Sequence, residues 1–455
     1  MQFAVAVVLL ICAFTARSAA ESLALPPITV LSIQEIIPRG SLKQATAATS
    51  NPDGGFLIAG GYRTNQYNRT GLRQFYLKIS STGAVISEQT SDSEWETAPP
   101  ATAFLLINGG YGVLGSRFDQ DAFAEIKSAQ RAGKGTEWNK IFESRLYDSL
   151  IPLAATGALL PEIHLSQPGE SRHIGCGAAT RNGFIFAGVA FSPHVTSWRG
   201  SIPLIEMRDM TGKLLWEHQY PTDKGKALDI SPQLGQSECG SLLVASDDSV
   251  TIALNVRILP VTQNGDEWVK VVSSPATNRQ GVLVIHLDSR GNEIYRAVDE
   301  NMSGGLLLTA DRQTLLIERT VPQFPAPGTM SITEQVIAIK KISATGYRAH
   351  LKYFDASSNR AANLQDFDTG NLQVLQAAYK TPEGDILMAG CPQLGGNNYV
   401  VHVNPSGAVS PVVELTPGGA QQCSKVVFGN GVHPHEAVVF MPSDLFGARL
   451  VTLKY

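Results

Sequence analysis

The chain has 455 residues, of which 43% are hydrophobic and 17% charged, with a formal net charge of −4. This near-neutral balance argues against the basic stripe that proteins binding nucleic acid or anionic membranes carry. The 42 Gly and 25 Pro disfavour helical repeats. We therefore expect a β-rich fold without a nucleic-acid partner.

The chain begins with a segment typical of a secretory leader. An apolar run from Phe3 to Phe14 precedes Ser18 and Ala20, small residues that suit cleavage before Glu21. The alternative is a membrane anchor, but the run is shorter than the roughly 20 residues that span a bilayer. We expect residues 1–20 to be a signal peptide, residues 21–455 to form one domain, and the mature protein to be periplasmic or secreted, without a membrane span. Its net charge becomes −5, because removing Arg17 takes Lys plus Arg from 36 to 35 against 40 Asp plus Glu.

One short pattern recurs five times: alternating apolar residues, then Ser, Asp or Asn, then Gly three positions later. The polar side chain starts a type I turn, and the Gly supplies the left-handed conformation that closes a β-hairpin. The five turns are Ser80–Gly83, Asp209–Gly212, Asp288–Gly291, Ser343–Gly346 and Asn404–Gly407. The sequence therefore predicts five copies of one hairpin.

A continuous apolar strand precedes each hairpin, which indicates burial on both faces of a sheet. These strands are Gly55–Gly61, Gly183–Gly188, Val250–Leu254, Thr314–Glu318 and Asp385–Gly390. Further strands precede them, such as Cys176–Thr180 and Leu242–Ala245. Each unit is therefore predicted to contain four antiparallel strands, called first to fourth below in chain order.

Two more units bring the predicted number to seven. The long interval between Gly83 and Gly212 holds a divergent set of four strands, and only three strands follow Gly407. The divergent set is Phe104–Ile107, Tyr111–Leu114, Ala122–Ile126 and Glu137–Phe142, and the final three are Lys425–Phe428, Ala437–Phe440 and Arg449–Leu453.

A strand without a unit, Ile28–Ile37, lies at the other end of the chain. Pairing it with Arg449–Leu453 would complete the last sheet and close a ring, which removes exposed sheet edges. The sequence thus predicts an all-β fold, a seven-bladed β-propeller of four-stranded antiparallel blades closed by the N-terminal strand. A pair of β-sandwiches or a solenoid is the alternative, but neither explains the orphan strand and the missing strand.

The first unit carries a family resemblance. Asp53-Gly-Gly-Phe-Leu-Ile-Ala-Gly60, followed by Lys78-Ile-Ser-Ser-Thr-Gly83, resembles the repeat of secreted bacterial β-propellers, in which a D-G-G-F strand precedes a K-I-S-x-x-G hairpin. The resemblance covers most of the mature chain, although only the first unit matches closely. It implies the fold and surface exposure. No active residues follow from it, because that family is functionally mixed.

Connections from second to third strands, and from fourth strands to the next unit, lie on one side of such a ring, here called the long-loop side. The predicted long connections all fall on it: Tyr62–Gln74, Ser144–Arg172, Pro221–Ser237, Leu259–Gln280, Val321–Glu334 and Asp355–Asn371. Loops on a rigid scaffold are where recognition concentrates, although long loops also simply tolerate insertion. Tyr, Trp and Arg dominate interface energetics, so we expect a partner-binding surface formed by Arg63, Tyr67, Arg69, Arg73, Trp198, Arg199, Trp268 and Lys270.

Four cysteines remain after cleavage, in a compartment where thiols oxidise. The blade model assigns Cys176, Cys239, Cys391 and Cys423 to the long-loop side. Pairing Cys176 with Cys239, and Cys391 with Cys423, would link neighbouring blades, but four cysteines allow three connectivities. We expect no metal site, since two histidines in His433-Pro-His435 are too few ligands and no C-x-x-C pair is present.

The sequence contains no G-x-S-x-G elbow, Walker loop or EF-hand loop, and it predicts no cofactor and no catalytic residue. The leading hypothesis is an exported protein that binds a protein or other macromolecule through the long-loop side, for example as an inhibitor or immunity-type partner of an exported enzyme. The alternative is a hydrolase or lyase acting on polysaccharide, with Asp119, Asp121, Glu170 or Asp266 converging in the propeller funnel. A quinone-dependent dehydrogenase ranks last, because the five Trp residues do not recur at equivalent blade positions.

Overall fold

The computed structural model of the protein describes residues 25–455 apart from 39–42, 64–71, 92–101, 119–123, 126–127, 130, 134–145, 168–171, 192–200, 225, 231–238, 265–266, 271–278, 301, 311–312, 321–347, 356–359, 369–373, 392–396, 406–407, 416–425 and 444–446. The described strands form seven sheets, all of them antiparallel. Six sheets have four strands and one has seven.

The first three units are regular four-stranded sheets in chain order. Unit 1 contains β2 (Lys43–Ser50), β3 (Phe56–Arg63), β4 (Leu72–Ile79) and β5 (Val85–Thr90). Unit 2 contains β6 (Thr102–Leu105), β7 (Tyr111–Phe118), β8 (Leu146–Leu153) and β9 (Ile163–His164). Unit 3 contains β10 (Arg172–Thr180), β11 (Gly183–Phe191), β12 (Ser201–Asp209) and β13 (Leu214–Gln219).

Unit 4 is the enlarged, seven-stranded sheet. It contains β14 (Thr222–Asp223), β15 (Lys226–Asp229), β16 (Cys239–Val244), β17 (Val250–Asn264), β18 (Glu267–Lys270), β19 (Arg279–Leu287) and β20 (Glu293–Glu300). The order β16-β17-β19-β20 within it repeats the four-stranded pattern of the other units. The remaining strands, β14, β15 and β18, are therefore additions to that pattern.

The last three units return to four strands. Unit 5 contains β21 (Met302–Ala310), β22 (Gln313–Thr320), β23 (Arg348–Asp355) and β24 (Arg360–Asp368). Unit 6 contains β25 (Val374–Lys380), β26 (Ile386–Cys391), β27 (Tyr399–Val403) and β28 (Val413–Glu414). Unit 7 contains β29 (Val427–Asn430), β30 (Glu436–Ser443), β31 (Gly447–Lys454) and, from the start of the described chain, β1 (Thr29–Ile37).

The sheets stand in a ring, with the first strand of each unit on the inside. Each of these strands contacts the first strand of the next unit, from β2 through β6, β10, β16, β21 and β25 to β29, and β29 contacts β2. Apolar side chains of neighbouring sheets pack between them, as Phe56 of unit 1 does against Phe440 of unit 7. The architecture is that of a β-propeller.

The predicted pairing of the orphan strand is observed. β1 lies antiparallel to β31, with Thr29 opposite Lys454 and Ile37 opposite Ala448. Arg449 and Glu35 form an ion pair across the two strands at 3.7 Å. The side chains of β1 are mostly exposed, as expected for the outermost strand of a sheet.

A repeated irregularity accounts for the glycine near the end of the second strands of units 1 and 3. The first strand of units 1, 3, 4, 5 and 6 contains a β-bulge. In unit 3 the bulge moves the backbone at His173 and Ile174 over Gly188, so that a Cβ there would overlap the His173 carbonyl oxygen and approach Ile174 Cα to 2.8 Å. Gly60 has the same relation to Gln44. Only glycine fits at these positions, because the neighbouring backbone occupies the space of a side chain.

The glycine of the turns between third and fourth strands has two roles. Gly83, Gly157, Gly212 and Gly291 all have φ between 80° and 90°. Each also lies against the outermost strand of the preceding unit, so that a Cβ would meet Gln34, Ser87, Ile163 and Trp216 respectively. Gln34 belongs to β1. β1 therefore lies next to unit 1 in the same way that β5, the outermost strand of unit 1, lies next to unit 2.

The strands predicted in units 2 and 5 need correction. Ala124 and Glu125 are helical, and the third strand of unit 2 is β8, which is followed by a turn at Ala154–Gly157. Ala154 replaces the usual Ser or Asp, so the pattern missed this hairpin. Residues 137–142 lie outside the described part of the chain. Consequently Ser144–Arg172 is not one connection, since it contains β8 and β9.

In unit 5 the predicted turn Ser343–Gly346 lies outside the described residues, yet the third strand, β23, begins only at Arg348. The predicted hairpin is therefore wrong, because the connection between the third and fourth strands lies between Asp355 and Arg360. Asp355–Asn371, predicted as a connection, contains the fourth strand β24. The remaining predicted hairpins are observed where they are described, with backbone bonds such as Asp209 N to Lys213 O at 2.9 Å.

Candidate partner-binding surface on the long-loop side

The clearest departure from the repeat lies on the long-loop side of unit 4. β17 has 15 residues, whereas the second strands of units 1 and 3 have 8 and 9. Only Val250–Ile258 pair with β19, and the rest of β17 continues beyond it. At about 3.3 Å per residue, six additional residues extend the strand by roughly 20 Å. Because the excess is at the C-terminal end of a second strand, it projects on the long-loop side.

Two predicted long connections supply the strands that pair with this projection. β15, in the predicted connection Pro221–Ser237, pairs with Arg257–Pro260 of β17. β18, in the predicted connection Leu259–Gln280, pairs with Val261–Asn264. Two segments predicted as loops are therefore partly ordered as β-structure.

The base of the projection is fixed to the core. Leu228 and Ile230 are buried together with Ile258 in an apolar cluster that spans units 3 and 4. Burying each such side chain stabilises the fold by about 1.5–3 kcal/mol. Asp229, directly opposite Arg257, is fully buried and accepts a hydrogen bond from Arg257 Nη2 at 2.8 Å. Since a buried carboxylate is costly unless it is paired, this ion pair fixes the register of β15 against β17.

The predicted binding residues fall into two groups. Arg63 and Arg73 lie on the hairpin of β3 and β4, where Arg63 is opposite Leu72, and Trp268 and Lys270 lie on β18, opposite Gln263 and Val261. These four are at the long-loop ends of units 1 and 4. Tyr67, Arg69, Trp198 and Arg199 lie outside the described residues, as do the acids of the alternative hypothesis, Asp119, Asp121, Glu170 and Asp266.

A buried carboxylate that the sequence analysis missed joins units 2 and 3 on the same side. Asp148 Oδ1 accepts a hydrogen bond from Ser116 Oγ at 2.6 Å, and Oδ2 accepts one from Ile174 N at 2.8 Å. His173 Nδ1 is 3.3 Å from both Asp148 Oδ1 and Ser116 Oγ. The Asp148 amide donates to Ser166 Oγ at 2.7 Å.

This Ser, His and Asp combination differs from a nucleophilic triad. A triad uses one ring nitrogen of the histidine for the serine and the other for the carboxylate. Here Ser116 donates to Asp148 directly, and both face the same nitrogen of His173. The arrangement therefore positions His173 on the long-loop side at the start of β10, on the inside of the ring. The signal in the sequence was a polar pair, Asp148-Ser149, inside an apolar strand that had not been predicted.

The residue before His173 belongs to a charged network on unit 3. Arg172 Nη1 donates to Glu206 at 2.8 Å and to Glu217 at 3.0 Å. Glu206 is fully buried and also accepts from Arg208 Nε at 2.6 Å. Two arginines thus compensate a carboxylate that could not be buried alone. The network fixes the start of β10 beside the hydrogen-bonded group of Ser116, Asp148 and His173.

Among the described residues, no group of three or more His, Cys, Asp or Glu is suitably placed to hold a metal ion. Within the same residues, no helix is long and apolar enough to cross a membrane.

No protein-family model and no curated protein matches the sequence. Solved structures that resemble the fold include Sqt1 from Chaetomium thermophilum, 9% identical over 93% of this chain and 98% of that chain, with a TM-score of 0.41. Polysaccharide lyase Uly1 is 11% identical over 90% of each chain, with a TM-score of 0.48. Hydrazine synthase from Kuenenia stuttgartiensis is 11% identical over 89% of this chain and 78% of that chain, with a TM-score of 0.41. Likenesses this distant carry no information on function.

Proposed function

We propose that this chain is an exported binding protein, a closed seven-bladed propeller whose long-loop side recognises a macromolecular partner. The observation that carries the proposal is the projection of unit 4. It brings Trp268 and Lys270 onto a β-strand held beyond the ring. Residues on a rigid, raised scaffold bind with a smaller loss of conformational entropy than residues on a mobile loop.

Two observations support seven blades with closure by β1. β16, β17, β19 and β20 repeat the strand order of the other units, so unit 4 counts as one enlarged blade. Gln34 of β1 lies against Gly83 as Trp216 of β13 lies against Gly291. β1 thereby occupies the position that the outermost strand of a preceding blade occupies elsewhere.

The proposed disulfides, Cys176 with Cys239 and Cys391 with Cys423, agree with the strand arrangement. Cys176 and Cys239 lie on β10 and β16, the contacting first strands of units 3 and 4. Cys391 is fully buried at the end of β26, and Cys423 lies outside the described residues. Mass spectrometry of the non-reduced, digested protein tests the pairing, and peptides joined with any other connectivity would refute it.

The proposed export leads to a separate prediction. Expressed with its own leader, the protein should be recovered outside the cytoplasm with Glu21 as its first residue, measured by N-terminal sequencing. An intact Met1 on cytoplasmic protein would contradict the proposal.

The binding experiment compares the two sides of the ring. The full chain is immobilised and exposed to periplasmic extract, and the affinity of any captured protein is then measured for variants. Trp268→Ala combined with Lys270→Ala should weaken binding by at least tenfold, since aromatic and charged anchors each contribute about 1–2 kcal/mol or more. The matched control is Met210→Ala, in an exposed turn on the opposite side.

Two results would refute the binding proposal. One is equal affinity in the double variant and the wild type. The other is loss of binding in Met210→Ala, which would assign recognition to the opposite side. Thermal unfolding monitored by circular dichroism establishes that each variant is folded.

A further inference from the structure

A second candidate site lies on the opposite side of the ring, called here the short-turn side because it carries the connections from first to second and from third to fourth strands. A cavity of about 490 Å³ opens between units 6 and 7. Its lining consists of Tyr379, Lys380, Thr381, Pro382, Glu383, Gly384 and Asn430. The cavity is shallow and open to solvent, and its volume is within the range of about 300–1,000 Å³ that small-molecule sites have.

The lining is held by hydrogen bonds that cross between blades. The Tyr379 hydroxyl donates to Asn430 Oδ1, and Asn430 Nδ2 donates to the carbonyl oxygen of Pro52 in unit 1 at 3.2 Å. The Tyr379 ring stacks on Phe428 at 5.9 Å. Because these groups are fixed before a ligand arrives, little conformational entropy remains to be lost on binding.

Glu383 is fixed in the same way from unit 7. Its Oε2 accepts a hydrogen bond from the Tyr455 hydroxyl at 2.7 Å. That bond is the main reason that the pKa of Glu383 lies below its ordinary value, and burial raises the pKa of Tyr455, which therefore remains the donor. The Tyr455 ring is held edge-on to His402 and His435, at 5.4 and 5.9 Å. Besides Tyr455, the Thr381 side chain and the Glu383 amide interact with this carboxylate, so that part of its capacity for about four hydrogen bonds remains for a ligand.

The charged and polar groups of the lining indicate which class of ligand fits the cavity. It contains one cation, Lys380, and one anion, Glu383, so that a ligand with a net charge would face a like charge. An apolar ligand would cover hydroxyl, amide and carboxylate groups without satisfying them, which costs about 1–3 kcal/mol for each group. A neutral ligand rich in hydroxyl groups matches both donors and acceptors.

We propose that this cavity between units 6 and 7 binds a neutral saccharide, a mono- or disaccharide, with Glu383 as an acceptor for its hydroxyl groups. The site is independent of the long-loop side, so either proposal can fail without the other.

Unit 1 provides a matched control. Asn51-Pro-Asp-Gly54 forms the same turn as Thr381-Pro-Glu-Gly384, with equivalent backbone bonds. Asp53 is exposed like Glu383, but its carboxylate accepts the amide of Gly55 at 3.0 Å within its own turn. Asp53→Asn therefore removes an equivalent charge outside the cavity.

Isothermal titration of the full chain with glucose, galactose, mannose, N-acetylglucosamine and their disaccharides tests the site. At least one sugar should bind, Glu383→Gln should weaken it by at least tenfold, and Asp53→Asn should leave the affinity within twofold of the wild type. Absence of binding by every sugar at 50 mM would overturn the proposal. Equal affinity in Glu383→Gln, equal loss in both variants, or tighter binding of ethylamine or acetate than of any sugar would overturn it as well.

Discussion

The two sides of the ring are built by different rules. On the short-turn side the connections are tight turns with recurring glycines, and neighbouring blades contact each other through those turns. On the long-loop side the described residues depart from the repeat in two places: unit 4 projects, and a buried carboxylate joins units 2 and 3. The comparison indicates that the short-turn side carries the repeat, whereas the long-loop side carries what distinguishes this chain.

The largest expected effect concerns the bulged first strands, which both sides depend on. Gly188→Ala places a Cβ against the His173 carbonyl oxygen, and since both are backbone positions in a paired sheet, neither moves easily. We expect the free energy of unfolding to fall by about 3 kcal/mol, as in overpacked cores. Urea denaturation measures it. A decrease of less than about 0.5 kcal/mol in the free energy of unfolding would show that the bulge is not rigid.

On the long-loop side, Asp148→Ala removes the acceptor for Ser116 and for the buried amide of Ile174. An unsatisfied buried donor costs about 1–3 kcal/mol, so we expect a loss of about 2 kcal/mol in the free energy of unfolding. Replacing Ser116 with Ala should cost less, because no backbone donor is then left without its acceptor. The reverse order in urea denaturation would contradict this description of the cluster.

On the short-turn side, Gly291→Ala and Gly384→Ala separate the two roles of the turn glycine. Both residues have φ near 90°, but a Cβ at Gly291 meets the Trp216 indole, whereas at Gly384 the nearest atom is Pro405 Cγ at 3.9 Å. The left-handed backbone alone costs about 1–2 kcal/mol with a side chain present. Gly291→Ala should therefore be the more destabilising of the two in thermal or urea unfolding. An equal decrease in stability for the two variants would mean that the contact between Gly291 and Trp216 of the neighbouring blade does not contribute to the effect.

The smallest effect is a pH dependence on the short-turn side. His286 is buried beside Thr251, 3.0 Å from its hydroxyl, and burial lowers the pKa of His286 below its ordinary value of 6.5 despite Asp247 and Asp288 nearby. The unfolded chain then binds a proton that the folded chain does not, so stability should fall as the pH drops below about 6.5. The urea midpoint at pH 5.5 relative to pH 7.5 measures this. His286→Gln should reduce that difference, and an unchanged difference would assign it to other groups.

The sequence predicts the short-turn side well, because its turns need particular residues. Ser80–Gly83, Asp209–Gly212 and Asp288–Gly291 could be recognised since each pairs a turn-starting acceptor with a left-handed glycine. Ala154–Gly157 escaped because Ala154 has no such acceptor, and the strand before it was lost with it. Pairing of β15 with β17, as of Asp229 with Arg257, depends on contacts distant in the chain, which periodicity does not encode. β18 instead pairs with β17 in a local hairpin, with Glu267 opposite Asn264, inside a segment that was predicted as a loop.

The candidate sites were less accessible to sequence reasoning for the same reason. Arg63, Arg73, Trp268 and Lys270 could be assigned to one side of the ring from strand order alone. Asp148, Ser116 and His173 come from two units, and Glu383, Asn430 and Tyr455 from two others, so their proximity follows only from the ring. Gly60 and Gly188 were visible as a motif, but their reason, the bulge in the neighbouring strand, was not.

The central claim is that β1 completes unit 7 and so gathers the long connections on one side. Hydrogen exchange of the full chain tests it most directly, using β5, the outermost strand of unit 1, as internal reference. The amides of Thr29–Ile37 that face β31 should be protected about a hundredfold or more over an unstructured peptide, to the same degree as the paired amides of Val85–Thr90. Unprotected exchange throughout Thr29–Ile37, with β5 still protected, would contradict the account.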